Sequence, residues 1–150
     1  MIADRLFSIS RTMIVPILAV ICLINAGCSI PTLETSDCTV ARESVKRFYS
    51  FHFGNDLAPS PENLRMRKDF LTPEYYRRLT NSVESKTDVF TLTDNYPKAF
   101  RVGECRSADA SKATVQVLLF WHTDDQNVQK QINVELTRAG DKWLVENVSK

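Results

Sequence analysis

Cysteine and histidine are the side chains with the most chemistry to offer in this chain, and their spacing limits what they can do. The four cysteines, Cys22, Cys28, Cys38 and Cys105, include no CxxC pair, and His52 and His122 are distant from one another, so no recognisable zinc set is present. His122 precedes Asp124 and Asp125, a grouping that suits a divalent ion or a general base. The same stretch, continued by Gln126 and Asn127, equally reads as a solvated hairpin corner, because Asp and Asn favour turn geometry. His52 falls near the end of a helical stretch, where a hydrogen-bonding or cationic group complements the helix dipole without further purpose. Arg65, Arg67, Lys68, Arg77 and Arg78 concentrate positive charge on two middle helices. They form a candidate docking face for anionic headgroups, a glycan or an acidic protein surface. Glu62, Asp69 and Glu74 dilute that charge, as they do on the wet face of ordinary amphipathic helices.

The compartment follows from the start of the chain. Arg5 and Arg11 outweigh Asp4, a mostly apolar run extends from Met13 to Ile24, and small residues Ala26 and Gly27 precede Cys28. That order is the order of a secretory signal peptide over residues 1–27. An uncleaved membrane anchor is the alternative, but a span needs ~20 predominantly apolar residues and this run is shorter. Ala26-Gly27-Cys28 resembles the lipobox of bacterial lipoproteins, with Asn25 where that pattern prefers an aliphatic residue. The resemblance implies cleavage before Cys28 and diacylation of its sulfur; ordinary cleavage leaving a free thiol is the alternative. Ser29 in place of Asp implies, by the same resemblance, sorting to the outer membrane. Residues 28–37 then read as a lipidated terminus and polar tether, and 38–150 as one domain.

Of the 150 residues, 19 are basic and 18 acidic. Without Arg5, Arg11 and Asp4 the mature chain holds 17 of each, so it lacks the basic excess expected of a nucleic-acid binder. Cys22 leaves with the leader and Cys28 carries lipid, which leaves Cys38 and Cys105. In an oxidising envelope such a pair is expected to form a disulfide, two unrelated buried thiols being the alternative.

The elements that position these residues are legible in outline. Ala41, Val45, Phe48, Tyr49 and Phe53 recur at helical spacing, which predicts an amphipathic helix from Thr39 to about Phe53. Ser60-Pro61-Glu62 and Thr72-Pro73-Glu74 each offer a cap, a proline in the first position and an acid in the first turn. They predict a short helix to about Phe70 and another buried along Tyr76, Leu79 and Val83. Asn81 to Pro97 reads as loop, with Val89, Phe90 and Leu92 as an apolar plug. The period then changes to two: Ala99 to Cys105, Ala113 to His122, Gln129 to Thr137 and Trp143 to Val148 predict four strands of an antiparallel meander. The expected class is α+β, with helices on one face of the sheet.

The FYSFHFGN segment, the LTPEYYRRL segment and a meander ending in GDKWLVENV together resemble the nuclear-transport-factor-2-like (cystatin-like) fold. More narrowly, the chain is similar to a bacterial family that includes the YbjP-type outer-membrane lipoproteins, over about Cys38 to Val148. The resemblance implies a curved sheet wrapped around helices into a cone with a pocket at its open end. It implies no catalytic set, and with no zinc-type spacing among the cysteines and histidines neither a metal nor a cofactor is expected. Related cones host acid–base enzymes that use an Asp or Tyr, and Tyr49, Tyr76, Asp94 and Glu104 are the groups placed to face such a pocket. The expected function is a non-enzymatic, lipid-anchored binding or assembly module for another envelope protein. The competing readings are a small-molecule binder or acid–base enzyme on the same fold, and a secretion-system scaffold with an uncleaved anchor.

Overall fold

The computed structural model of the chain describes residues 34–82, 86–122 and 127–150. The leader, Cys28 and the first part of the tether lie outside the described residues, as do Val83, Asp124 and Asp125. Among the described residues no helix is long and apolar enough to cross a membrane.

Helix α1 (Ser36–Phe53) starts three residues before the expected Thr39, inside the stretch read as tether. Thr35 is the reason: its hydroxyl accepts a hydrogen bond from the Cys38 backbone N–H, and Asp37 places a negative charge in the first turn. Cys38, Ala41, Val45, Phe48, Tyr49 and His52 form its buried stripe. Helix α2 (Pro61–Met66) and helix α3 (Pro73–Thr80) begin where proposed, with Ser60 and Thr72 as side-chain caps and proline in the first turn. Between them Lys68–Phe70 tightens into one 3₁₀ turn. Tyr75, and not Tyr76, joins Leu79 on the buried edge of α3; Tyr76 is half-buried.

Four strands follow, β1 (Ala99–Asp109), β2 (Lys112–His122), β3 (Asn127–Ala139) and β4 (Lys142–Ser149), in the spatial order β1-β2-β3-β4 and all antiparallel. Val115, Val117 and Leu119 face Val134 and Ile132 on the helix side of the sheet and are fully buried. Trp143, Val145 and Val148 extend that layer along β4. Register shifts at Val102/Cys105 and Glu135/Leu136 insert extra residues, the usual means of bending a sheet. Gly140 turns β3 into β4 at φ 63°, a left-handed conformation that L side chains adopt at a cost. The β4 edge is covered: Thr72 N–H donates to the Val145 carbonyl at 2.9 Å, and Arg78 reaches the Glu146 carbonyl at 3.2 Å. The β1 edge carries Arg101, Glu104, Arg106 and Asp109, charges that discourage pairing with another strand.

Helix α1 runs antiparallel to β1. Cys38 is bonded to Cys105 near one end, and the Phe53 ring lies 5.1 Å from that of Phe100 at the other. The 18-residue helix therefore separates two poles by about 27 Å. The N-terminal pole holds the disulfide and the β1–β2 and β3–β4 turns. The opposite pole holds the loops that follow α1 and precede β1.

Candidate functional site

The interior of the sheet–helix layer is filled by aromatic rings. Phe48 packs edge-on to Tyr49 and to Phe90, at centroid separations of 5.0 and 5.1 Å, and Tyr49 meets Phe100 at 5.7 Å. The Tyr49 phenol is fully buried and donates to the Phe90 carbonyl at 2.7 Å, and burial raises its pKa well above the ordinary value. Tyr49 thus belongs to the core. Tyr76 sits on α3 beneath Lys68, while Asp94 and Glu104 are exposed on different elements. The four groups named for a pocket at the cone's mouth do not converge.

A different constellation does. His52, in the last turn of α1, is buried at 1% exposure between Arg67 and Asp88, themselves 1% and 3% exposed. Arg67 Nε donates to His52 Nδ1 at 2.7 Å, and His52 Nε2 lies 2.9 Å from Asp88 Oδ2. A guanidinium N–H only donates, so Nδ1 must accept, and Nε2 therefore carries the proton given to Asp88. The remaining Arg67 nitrogens bond to the carbonyls of Asn63 at 2.6 Å, Asp56 at 2.8 Å and His52 at 3.4 Å. Burial pushes the guanidinium pKa down from its ordinary value, and the Asp88 and Asp56 carboxylates counter part of that. Asp88 accepts twice more, from the Phe90 N–H at 3.0 Å and the Thr91 hydroxyl at 2.6 Å. The loop that carries it closes on itself where the Asp88 N–H meets the Thr93 carbonyl at 2.9 Å, with Leu92 at φ 54° in the bend.

Above this network is a cleft of about 50 Å³, lined by Leu57, Pro59, Leu64, Leu79, Val89 and Phe90 and floored by Arg67 and Asp88. That is room for a few waters. Chemically the network is closed. Both His52 nitrogens are engaged, so the imidazole has no lone pair left to take a proton from a substrate. What it does is join the end of α1, the cap of α2 and the 88–93 loop.

The remaining sequence candidates are dispersed. Arg67 is removed from the proposed docking face by its burial: α2 ends at Met66, so the residue caps the helix and turns inward. Arg65 is exposed and paired with Glu62, Lys68 lies over Tyr76, and Arg77 is exposed. Arg78 covers the Tyr75 ring at 4.8 Å and ties α3 to β4 through Asn147. His122 lies exposed at the end of β2. Cys38 and Cys105 are bonded, S–S 2.03 Å, as expected of the pair. Sequence reading missed Asp88, whose only signal is an Asp three residues ahead of Thr91 in a loop, a spacing suited to side-chain capping.

No protein-family model matches the chain, and no curated protein matches it. Neither comparison supports the resemblance to the YbjP-type family drawn from the sequence segments. Among solved structures, a chain of the type VI native effector–immunity complex Tae3–Tai3 from Ralstonia pickettii aligns over 72% of this chain and 92% of its own, at 15% identity and TM-score 0.55. The intermembrane space region of the chloroplast protein ARC6 aligns over 77% and 97%, at 16% identity and TM-score 0.47. A SEC-C motif containing protein from Rhodopseudomonas palustris, RPA3114, aligns over 81% and 96%, at 14% identity and TM-score 0.37. The first of these likenesses extends to the fold alone. The class is α+β, with helices on one face of a curved, unclosed antiparallel sheet, consistent with the nuclear-transport-factor-2-like or cystatin-like cone.

Proposed function

We propose that the chain is a lipid-anchored cell-envelope protein, facing the periplasm from the outer membrane, whose domain works as a non-enzymatic binding or assembly module. One observation carries the reading: the polar groups under the cleft satisfy one another, leaving the surface as the part that meets another molecule. Further support comes from the leader ending at Cys28, the disulfide between Cys38 and Cys105, and the similarity to YbjP-type lipoproteins. The solved structure that resembles the fold at TM-score 0.55 belongs to a protein–protein complex, which favours a protein partner. The pole opposite the tether is the natural docking end, because the membrane crowds the other.

The test is made on material from the native host. Intact mass should give a chain beginning at Cys28 plus fatty acyl groups. A photo-crosslinker at Val128, 47% exposed on β3, should capture one reproducible envelope protein, and the same group at Val40 near the tether should not. A full-length chain free of fatty acid, or no captured protein from either position, overturns the reading.

A further inference from the structure

The strongest unassigned cluster is at the N-terminal pole. Glu34, Cys38 and Cys105 bring one carboxylate oxygen and two sulfurs within 4.8 Å of one another. The sequence spacing hides this set, since Glu34 precedes α1 and Cys105 comes from β1. We propose that, once its disulfide is reduced, this cluster is a binding site for a thiophilic divalent ion, zinc being the type case, so that the pair is either a staple or a metal site according to redox state.

Three features of the site support the assignment. The first is donor chemistry and reach. Two thiolates and a carboxylate suit a tetrahedral ion with an open fourth position. At Zn–S distances of about 2.3 Å the two sulfurs need to stand about 3.8 Å apart, which a Cα–Cα separation of 5.6 Å permits by side-chain rotation. The second is orientation. Arg42 Nη1 holds Glu34 Oε2 at 3.0 Å, engaging one carboxylate oxygen and leaving a carboxylate its second to give; groups that orient a ligand in this way tune metal affinity. The third is charge. Two thiolates and one carboxylate bring three negative charges, and a divalent ion with the Arg42 guanidinium brings three positive. Among the described residues Arg42 Nε is also a buried donor without a hydrogen-bond partner, and Arg42 lies one helical turn after Cys38, where a thiolate supplies an acceptor.

The conversion balances with a dithiol reductant. It passes two electrons and two protons to the Cys38–Cys105 bond and leaves as its own disulfide. Each protein thiol then releases its proton to solvent as the ion binds.

The test uses the full chain with Cys22→Ser and Cys28→Ser, so that the pair supplies the only thiols, and Co²⁺ as the spectroscopic probe. The reduced chain should bind one Co²⁺ with sulfur-to-cobalt charge-transfer absorption and tetrahedral visible bands, and the oxidised chain should give neither. Glu34→Gln should weaken binding by about tenfold or more while the charge-transfer band persists. Zn²⁺ should raise the melting temperature of the reduced chain and leave that of the oxidised chain unchanged, which separates a built site from thiols scavenging metal in an unfolded chain. Absence of the charge-transfer band, or equal affinity in Glu34→Gln, overturns the proposal.

Discussion

His52 accepts a hydrogen bond from Arg67 on one ring nitrogen, at 2.7 Å, while its other ring nitrogen engages Asp88 at 2.9 Å. A neutral ring thus connects a buried cation to a buried anion. Removing a charge from such an arrangement costs more than the arrangement contributes, because the partner left behind is buried without compensation. Arg67→Met should therefore destabilise the fold by about 3–5 kcal/mol in urea-induced unfolding. Arg67→Lys should recover only part of that loss, since an ammonium lacks the planar fork that reaches His52 and the Asn63 and Asp56 carbonyls together. A loss below 1 kcal/mol in Arg67→Met would show that the network contributes nothing to holding its three segments.

The alkaline limb of stability belongs to two tyrosines. Burial raises the Tyr75 phenol to about 12 and moves Tyr49 well upward as well. In the folded state both keep their protons at pH values where an unfolded tyrosine, near 10, has lost its own. The stability they contribute is complete below the unfolded pKa and falls as pH rises from there through the folded one. Each tyrosine removes about 1.4 kcal/mol per pH unit over that window. The phenolate absorbance of Tyr49 and Tyr75 should accordingly appear only together with unfolding. Phe replacing Tyr75 should flatten the pH dependence above 10 by about one proton's worth.

How much of this was legible in the chain depends on whether a residue's surroundings lie close to it in sequence. Ser60 and Thr72 were legible because a cap acts on the N–H three residues later. The strand from Ala113 to His122 was legible because a strand alternates its faces, and the structure buries Val115, Val117 and Leu119 on one of them. Thr35 passed unnoticed because the polar residues ahead of α1 look like tether as much as cap. Arg67 read as solvated because Arg65 and Lys68 flank it, and only the meeting of α2's cap with the end of α1 buries it. Asp88 sits 36 residues from His52 and Glu34 sits 71 before Cys105, so neither the buried network nor the thiol–carboxylate cluster leaves a local period to read.

The ion pairs on the outer face of the sheet should contribute little. Lys112 and the Thr137 hydroxyl both donate to the Glu146 carboxylate, and these bonds hold its carboxyl below the ordinary range. The Lys112 and Glu146 side chains are 43% and 39% exposed, so solvent screens most of the attraction. Glu146→Gln should cost less than about 1 kcal/mol and lose most of that effect in molar salt. Because the folded pKa is depressed, the contribution is present at neutral pH and disappears as pH falls through the folded value. Chemical denaturation at pH 7 and pH 3, with and without salt, measures both dependences.

The disulfide works mainly through the chain it constrains when unfolded. Cys38 and Cys105 close a loop of 67 residues, for which loop entropy gives about 4 kcal/mol of stabilisation. The native contacts beside it are weaker: the Thr35 cap and the Asp37–Arg138 pair at 3.0 Å also hold the start of α1, both near solvent. Cys38→Ala with Cys105→Ala should therefore lower the urea midpoint by the equivalent of about 4 kcal/mol and leave the fold recognisable by near-ultraviolet circular dichroism. Hydrogen exchange should show fraying confined to the first turn of α1, with the Phe48–Tyr49 region still protected. The reduced natural chain, kept free of metal, should match the double variant. If it instead melted well below it, paired thiols rather than loop length would dominate, since only the reduced chain places two polar sulfhydryls against the core.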